Sequence, residues 1–243
     1  MPQQISKLSI IVPVYNEEKT IFAVLGKINK ASLPNGIARE VIVINDESSD
    51  NTEEEIKRYQ RENPAAEIRY LKHETNLGKG AALRTGIMEA SGDCLIIQDA
   101  DLEYDPDEYA LLLKPFLDGH ADVVYGSRFM GGGAHRVLFF SHSIGNRFLT
   151  FCSNLLTNLN LTDMETCYKL FRTDIIKGIR LRENRFGFEP EVTAKVARVP
   201  GVRIYEVGIS YYGRTYREGK KINWKDGVRA LYCIMKYGLL KGN

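Results

Sequence analysis

Three acidic residues spaced two apart, Asp99, Asp101 and Glu103, follow an apolar run, Cys94-Leu95-Ile96-Ile97. Four apolar residues in a row read as a strand buried on both faces. The carboxylates then stand at its carboxyl end, the edge at which open α/β sheets bind ligands. In a fully extended strand Asp99 and Asp101 share a face. Two hard oxygen donors that close suit Mg2+ or Mn2+, cations commonly shared with phosphate oxygens. Taken alone, Asp-x-Asp is also the pattern of a solvated turn, so the elements around it decide.

Those elements alternate. Residues 8–14 form a β-branched strand, and Asn16 is placed to cap a helix striped by Ile21, Val24, Leu25 and Ile28. Residues 40–45 make a second strand ending in Asp46, followed by caps at 48–52 and a polar helix over 53–62. A third strand is predicted at 67–71. Gly78-Lys79-Gly80 opens a helix to about residue 90, and the strand at 94–97 is the fourth. Pro106 sits where an N1 proline starts the next helix, and 121–125 is a fifth strand ended by Gly126-Ser127-Arg128. Strand–helix alternation predicts a mainly parallel sheet with helices on both faces. Three strands then bring Tyr15 with Glu17, Asp46, and Asp99 with Asp101 to one edge. No G-x-G-x-x-G and no G-x-x-x-x-G-K-[ST] is present, which argues against dinucleotide and P-loop sites.

The second half is less regular. Gly131-Gly132-Gly133 marks a flexible loop. Ile144, Phe148, Phe151, Cys152, Leu155 and Leu159 recur at helical spacing. Residues 167–171 read as a strand and 202–212 as a strand or a bent pair, a short helix starts at Pro190, and Trp224, Val228, Leu231 and Met235 stripe a last helix. The expectation is a single domain over 1–243, with a nucleotide-binding half at about 1–128 and an acceptor half at about 129–243.

The chain has 243 residues, 44% of them hydrophobic, enough for a sizeable core, and its net charge of +2 gives no case for nucleic acid. The charge is uneven: residues 212–243 carry eight basic and two acidic side chains, a local balance of +6. Four scattered cysteines with no C-x-x-C pair argue against zinc and a disulfide framework and fit a reducing compartment. No secretory leader opens the chain, and no apolar run nears the ~18 residues of a membrane span. A cytoplasmic protein is expected.

Val12-Pro13-Val14-Tyr15-Asn16-Glu17, Asn45-Asp46-Glu47-Ser48-Ser49-Asp50-Asn51-Thr52, Asn76-Leu77-Gly78-Lys79-Gly80, Asp99-Ala100-Asp101 and Gly126-Ser127-Arg128 occur in that order. Each is weak singly; together they resemble a family 2 glycosyltransferase of the GT-A fold, over about residues 7–240. The branch most resembled contains the polyprenyl-phosphate (dolichyl-phosphate) mannosyl and glucosyl transferases. The resemblance implies that Pro13, Tyr15 and Glu17 frame the nucleotide, that Asp46 bonds the base, and that Asp99 and Asp101 hold a Mg2+ or Mn2+ ion on the diphosphate, with Glu103 a further ligand and Ala100 beside them in the donor site. Asn45 stands where the first Asp of a pair is common, and Glu103 where many relatives have Gln. The implied donor is a UDP- or GDP-linked sugar and the implied acceptor a polyprenyl phosphate.

A nucleoside diphosphate leaving group must be neutralised as the glycosidic bond breaks. Lys79, Arg128, Arg214, Arg217, Lys220 and Lys221 are candidate cations; in the resembling family, Arg and Lys at the position of the last four close over substrate. Asp163-Met164-Glu165-Thr166 falls at the family's acceptor-side acidic motif. A carboxylate there is a general base for a hydroxyl acceptor, whereas a lipid phosphate is already ionised and needs none, and the acidic pair then positions the sugar hydroxyls. Glu189 and Glu191 are weaker candidates for that wall, and the four histidines show no ligand spacing. The expected activity is metal-dependent, inverting transfer of glucose or mannose to a polyprenyl phosphate. The alternatives are transfer to a soluble or glycan hydroxyl, a sugar-phosphate nucleotidyltransferase, and a binding-only relative. A lipid acceptor implies peripheral contact, at the inner face of the membrane or through a membrane partner subunit, and the basic C-terminal helix is the candidate for it.

Overall fold

The computed structural model describes residues 5–131, 136–137, 140–215 and 224–239, the side chains of Trp224 and Lys225 excepted. In chain order they form β1 (Lys7–Val14), α1 (Ile21–Lys30), β2 (Ala38–Asn45), α2 (Thr52–Glu62), β3 (Ile68–Lys72), α3 (Lys79–Glu89), β4 (Cys94–Ile97), α4 (Tyr109–Leu117), β5 (Val123–Ser127), α5 (Phe140–Thr157), β6 (Lys169–Arg172), α6 (Thr173–Lys177), α7 (Phe188–Val196), β7 (Ile204–Gly208) and α8 (Trp224–Leu239). The strands make one sheet in the order β3-β2-β1-β4-β6-β5-β7, so strands from before and after residue 128 share it.

The expected mainly parallel sheet is present. β3, β2, β1 and β4 run parallel, β5 and β7 run the same way, and β6 alone is antiparallel to its neighbours β4 and β5. Period-two alternation splits the core into two layers. Cys94 and Ile96 of β4 join the layer formed with Leu25 of α1, Ile56 of α2 and Leu112 of α4. Leu95 and Ile97 face the other way, onto Leu83 of α3, Val192 of α7 and Ile234 of α8. α3 lies so close to the sheet that a Cβ at Gly86 would strike Ile11 and Ile44.

The structure refines the local reading at five places. Asn16 does not cap α1: it adopts φ 50°, and its Oδ1 accepts from Ser49 N–H at 2.8 Å, tying the end of β1 to the loop after β2. Pro106 opens a single 3-10 turn, capped by Asp105, that leads into α4. Asp99 and Asp101 lie in the turn after β4, not in the strand, so it is the turn that brings them together. The helical stripe of α5 faces outward: Ile144, Phe148, Phe151 and Leu155 are 52–72% exposed. α8 likewise packs through Ala230, Cys233, Ile234 and Tyr237 and leaves Val228 and Met235 outside. Gly132, Gly133, Arg217, Lys220, Lys221 and the side chains of Trp224 and Lys225 lie outside the described residues.

α8 is pinned by one buried carboxylate. Glu183 accepts from Arg229 at 2.5 Å, Tyr237 Oη at 2.7 Å and Lys236 at 3.1 Å. Burial opposes its charge, yet these three donors hold its pKa down to about 2. A carboxylate whose pKa is lower folded than unfolded stabilises the fold fully above its ordinary value, 4.5, and loses that contribution as pH falls toward 2. Glu183→Ala should destabilise the protein by about 2–3 kcal/mol at neutral pH, read as a lowered Tm. The gap between the two proteins should close on titration from pH 5 to pH 2; a gap unchanged with pH would refute this account of α8.

Candidate active site

The reversal of β6 builds the site. β1, β2, β4 and β5 end at one edge of the sheet, and β6 begins there, so the loop before it, residues 163–168, meets their carboxyl ends. A cleft of about 520 Å³ opens at that edge, lined from Pro13, Tyr15, Asp46 and Asn76 at one end, past Asp99 and Asp101, to Arg128, Glu165 and Glu189 at the other.

At the first end Tyr15 is 40% exposed at the mouth. Asp46 lines the cleft but also braces it. Its Oδ1 accepts from Leu77 N–H at 2.9 Å and faces His73 Nδ1 at 2.7 Å; its Oδ2 accepts from Gly78 N–H at 2.7 Å. Gly78 holds φ 97°, and a Cβ there would run into the carbonyl oxygen of Asn184, so the start of α3 requires glycine. His73, unremarkable in the sequence, is thus part of the brace, bonded on its other nitrogen to Thr85 at 3.0 Å.

The middle is crowded with carboxylates. Burial opposes the charge of Asp99, but Lys79, paired with it at 2.7 Å, acts together with Cys167 and Arg214 to keep its pKa low. Asp101 pairs with Arg214 at 2.8 Å, yet burial, then the charges of Asp99 and Glu103, push it up to about 7. Arg214 also reaches Glu17 at 3.1 Å. Leu102, between the acidic residues, is held at φ 65°, a strained conformation for leucine that costs roughly 1–2 kcal/mol. The carboxylate of Glu103 is taken by Tyr211 Oη at 2.7 Å and Arg214 N–H at 2.6 Å, so it fastens the 211–214 segment over the turn. Ala100 contributes its carbonyl, which accepts from Thr20 Oγ1 at 2.7 Å.

Two hard carboxylates with excess negative charge fit a divalent cation. Among the described residues no three His, Cys, Asp or Glu side chains converge as a closed cage. That also suits Mg2+, which usually takes one or two carboxylates and completes its shell with water and substrate phosphate.

At the far end Arg128 lines the cleft and Asp163 stands behind it. Asp163 is fully buried and accepts from Arg128 Nε at 2.6 Å, Nη2 at 2.8 Å and its backbone N–H at 3.1 Å, with Asn146 of α5 at 3.2 Å. Burial opposes its charge, but the guanidinium holds its pKa low. Such a carboxylate positions Arg128 and is out of reach of a substrate in the cleft, unlike the catalytic place expected for it. Glu165 does face the cleft, and burial, then the neighbouring Glu189, push it up to about 8. Glu191 is elsewhere, capping Arg182 and Glu183 N–H groups beside Lys195. Arg185, Phe186, Tyr104, Cys167 and Tyr211 also line the cleft and escaped the sequence reading. The signal available for the first two was an aromatic beside a cation in a loop, Arg185-Phe186-Gly187, just before α7.

Breaking a buried bidentate pair is costly, so Asp163→Asn should lower stability by about 3 kcal/mol. Turnover should fall while the acid limb of the pH–rate profile stays in place, because the substitution removes a brace and not a base. Loss of that limb would make Asp163 the base instead.

The glycosyl transferase family 2 model matches residues 9–180. Dolichol-phosphate mannosyltransferase of Pyrococcus furiosus is 27% identical over 95% of this chain, which spans 64% of that protein's length. Undecaprenyl-phosphate mannosyltransferase of Micrococcus luteus is 30% identical over 94% of this chain and 93% of its own. Glucosyl-3-phosphoglycerate synthase of Mycobacterium tuberculosis, solved with Mn2+, UDP and phosphoglyceric acid, superposes with a TM-score of 0.73 at 18% identity, covering 98% of this chain and 80% of that one. This last likeness shows the shared GT-A fold. With a family match over most of its length, the chain belongs to glycosyl transferase family 2.

Proposed function

We propose that this glycosyltransferase moves a sugar, glucose or mannose, from a UDP- or GDP-linked donor to a polyprenyl phosphate, with inversion and with Mg2+ or Mn2+. The observation that carries the acceptor is Arg128. The acceptor end presents a guanidinium fixed by a buried carboxylate, an arrangement suited to an anion. A phosphate acceptor is ionised near neutral pH, so its oxygen attacks without a strong base. The relatives of Pyrococcus and Micrococcus act, by their names, on dolichol and undecaprenyl phosphates.

In this reading Tyr15 and Pro13 frame the base, and Asp46 shapes that end through the Leu77–Gly78 backbone. Asp99 and Asp101 would hold the cation. Bound there, it would neutralise the diphosphate leaving group. Lys79 and Arg214 supply fixed positive charge beside it, and Glu17 and Glu103 aim Arg214. Glu103 in this arrangement serves Arg214 and not the cation. Lys220 and Lys221 extend the same basic segment. The competing nucleotidyltransferase reading needs a Gly-rich basic loop where Pro13-Val14-Tyr15-Asn16-Glu17 stands.

Among the described residues no helix is long and apolar enough to cross a membrane. The outward faces of α5 and α8, with Phe148, Phe151, Leu155, Val228, Met235 and Leu239 46–72% exposed, give the protein an apolar surface. α5 contains no acidic residue, and the chain beyond residue 212 is strongly basic. Asn146 on the inner side of α5 holds Asp163, so this surface adjoins the acceptor end of the cleft. These features support docking on an anionic bilayer, at the cytoplasmic face.

Asp101→Ala should cut turnover by roughly three decades or more with the fold intact, and EDTA should do the same to the wild type. Nucleoside diphosphate release with polyprenyl phosphate, against a water-soluble hydroxyl acceptor and against pyrophosphate release from triphosphates, separates the readings. Full activity in EDTA would refute the cation.

Co-sedimentation with anionic vesicles should be strong at low salt, weaken at high salt, and fall about tenfold or more in Phe148→Asp/Phe151→Asp, since two exposed rings offered to the bilayer are lost and negative charge is added. Absence of binding at low salt, together with efficient transfer to a soluble hydroxyl, would overturn the lipid acceptor.

A further inference from the structure

Two carboxyl groups at the acceptor end each keep one oxygen without a hydrogen-bond partner among the described residues. Glu189 is 4% exposed, and its Oε2 has no hydrogen-bond partner among the described residues; the same is true of Glu165 Oε1. Both line the cleft. A buried acceptor left unpaired costs about 1–3 kcal/mol, so a site that keeps two of them is built for donors that arrive with a ligand. Their place says which ligand. Lys79 Nζ is 2.7 Å from Asp99, on the diphosphate side, and 3.8 Å from Glu189 Oε1. The acidic pair therefore lies one side chain beyond the diphosphate-facing turn, on the side away from the base, where the sugar of a nucleotide sugar falls.

The surroundings hold the pair rigid. Lys169 is buried in β6 and donates to the carbonyl oxygens of Met164, at 3.0 Å, and Thr166, the two residues flanking Glu165. Thr193 Oγ1 donates to the Glu189 carbonyl at 2.8 Å and lies 2.9 Å from Tyr125 Oη. Lys169 is also the counter-charge beneath the pair.

We infer that Glu165 and Glu189 form the sugar subsite and restrict the donor to a neutral, hydroxyl-rich hexose, excluding a hexuronate. This inference rests on the nucleotide-sugar reading of the cleft. Hexose hydroxyls donate to the open carboxyl oxygens. A carboxylate at carbon six offers no proton at neutral pH and brings like charge into a poorly hydrated pocket. Burial, then the neighbouring Glu189, pushes the Glu165 carboxyl up to about 8, so the subsite gains negative charge between pH 7 and pH 9. Glu189, Lys169, Arg128 and Asp163 are the charged groups acting on Glu165, and Lys79 and Cys167 stand beside Glu189.

The test is equilibrium binding in two matched pairs that differ at carbon six: UDP-glucose against UDP-glucuronate, and GDP-mannose against GDP-mannuronate, with free UDP and GDP as references. Acceptor is omitted, so the outcome is independent of the polyprenyl phosphate. The wild type should bind the neutral sugar of its preferred pair about tenfold or more tightly, with the ratio rising from pH 7 to pH 9. Glu165→Gln and Glu189→Gln, each checked for folding by its melting curve, should shrink the ratio to about threefold or less by admitting the uronate. Equal binding of both sugars to the wild type would overturn the subsite. So would ratios unchanged in both variants, or binding of free nucleotide with neither sugar adding affinity. Failure of every nucleotide and nucleotide sugar to bind would instead bring down the nucleotide-sugar reading itself.

Discussion

Negative charge crowded into a dry cleft, and the cations that must answer it, is the constraint on which the rest of this structure depends. Glu17, Asp99, Asp101, Glu103, Asp163, Glu165 and Glu189 come from four segments that meet at the edge of one sheet. Unpaired carboxylates at such spacings would repel by several kcal/mol or take up protons. Each large paired group therefore has its own cation: Lys79 for Asp99, Arg214 for Asp101 and Glu17, Arg128 for Asp163. What is left uncompensated, around Asp101 and between Glu165 and Glu189, is where a substrate or its cation has something to gain by entering. Structural pairs and functional pairs are thus told apart by their surplus charge, not by residue type.

The elements were largely legible. Apolar runs marked the central strands β1, β2 and β4 closely, because central strands of a covered sheet tolerate little else, while the edge strand β7 is shorter than the 202–212 stretch read for it. The order and direction of the strands were not legible. Lys169–Arg172 carries a charged residue at each end of a short apolar pair, and nothing local says that it runs backwards between β4 and β5. The missed roles follow from that. Asp163 looks like a site carboxylate in sequence; its partner Arg128 lies 35 residues away, and the reversal of β6 makes them neighbours. Asp46 and His73 meet across 27 residues for a similar reason.

Helical spacing also says which residues share a face but not what that face touches. The stripe on α5 has the period of a core helix, and it is exposed. The informative contrast was within the helix: Asn146, Thr150 and Asn154, polar residues, bond inward to Asp163, Met164 and Leu161. A helix of this kind turns its polar residues to the protein and leaves its rings on the surface.

The bridge between Arg214 and Glu17 spans 197 residues. A contact of that separation closes almost the whole chain into a loop, and such contacts are the last to be rewarded during folding. Carboxylates on the first strand loops therefore emerge from the ribosome long before the guanidinium that neutralises them. The amino-terminal strands can assemble with their acidic edge still open, and the cleft acquires its electrostatic balance only when the final segment docks. Catalytic competence is in this sense a late kinetic event, set by the slowest and longest-range closure in the fold. A chain released early would carry a nearly complete sheet without a working site.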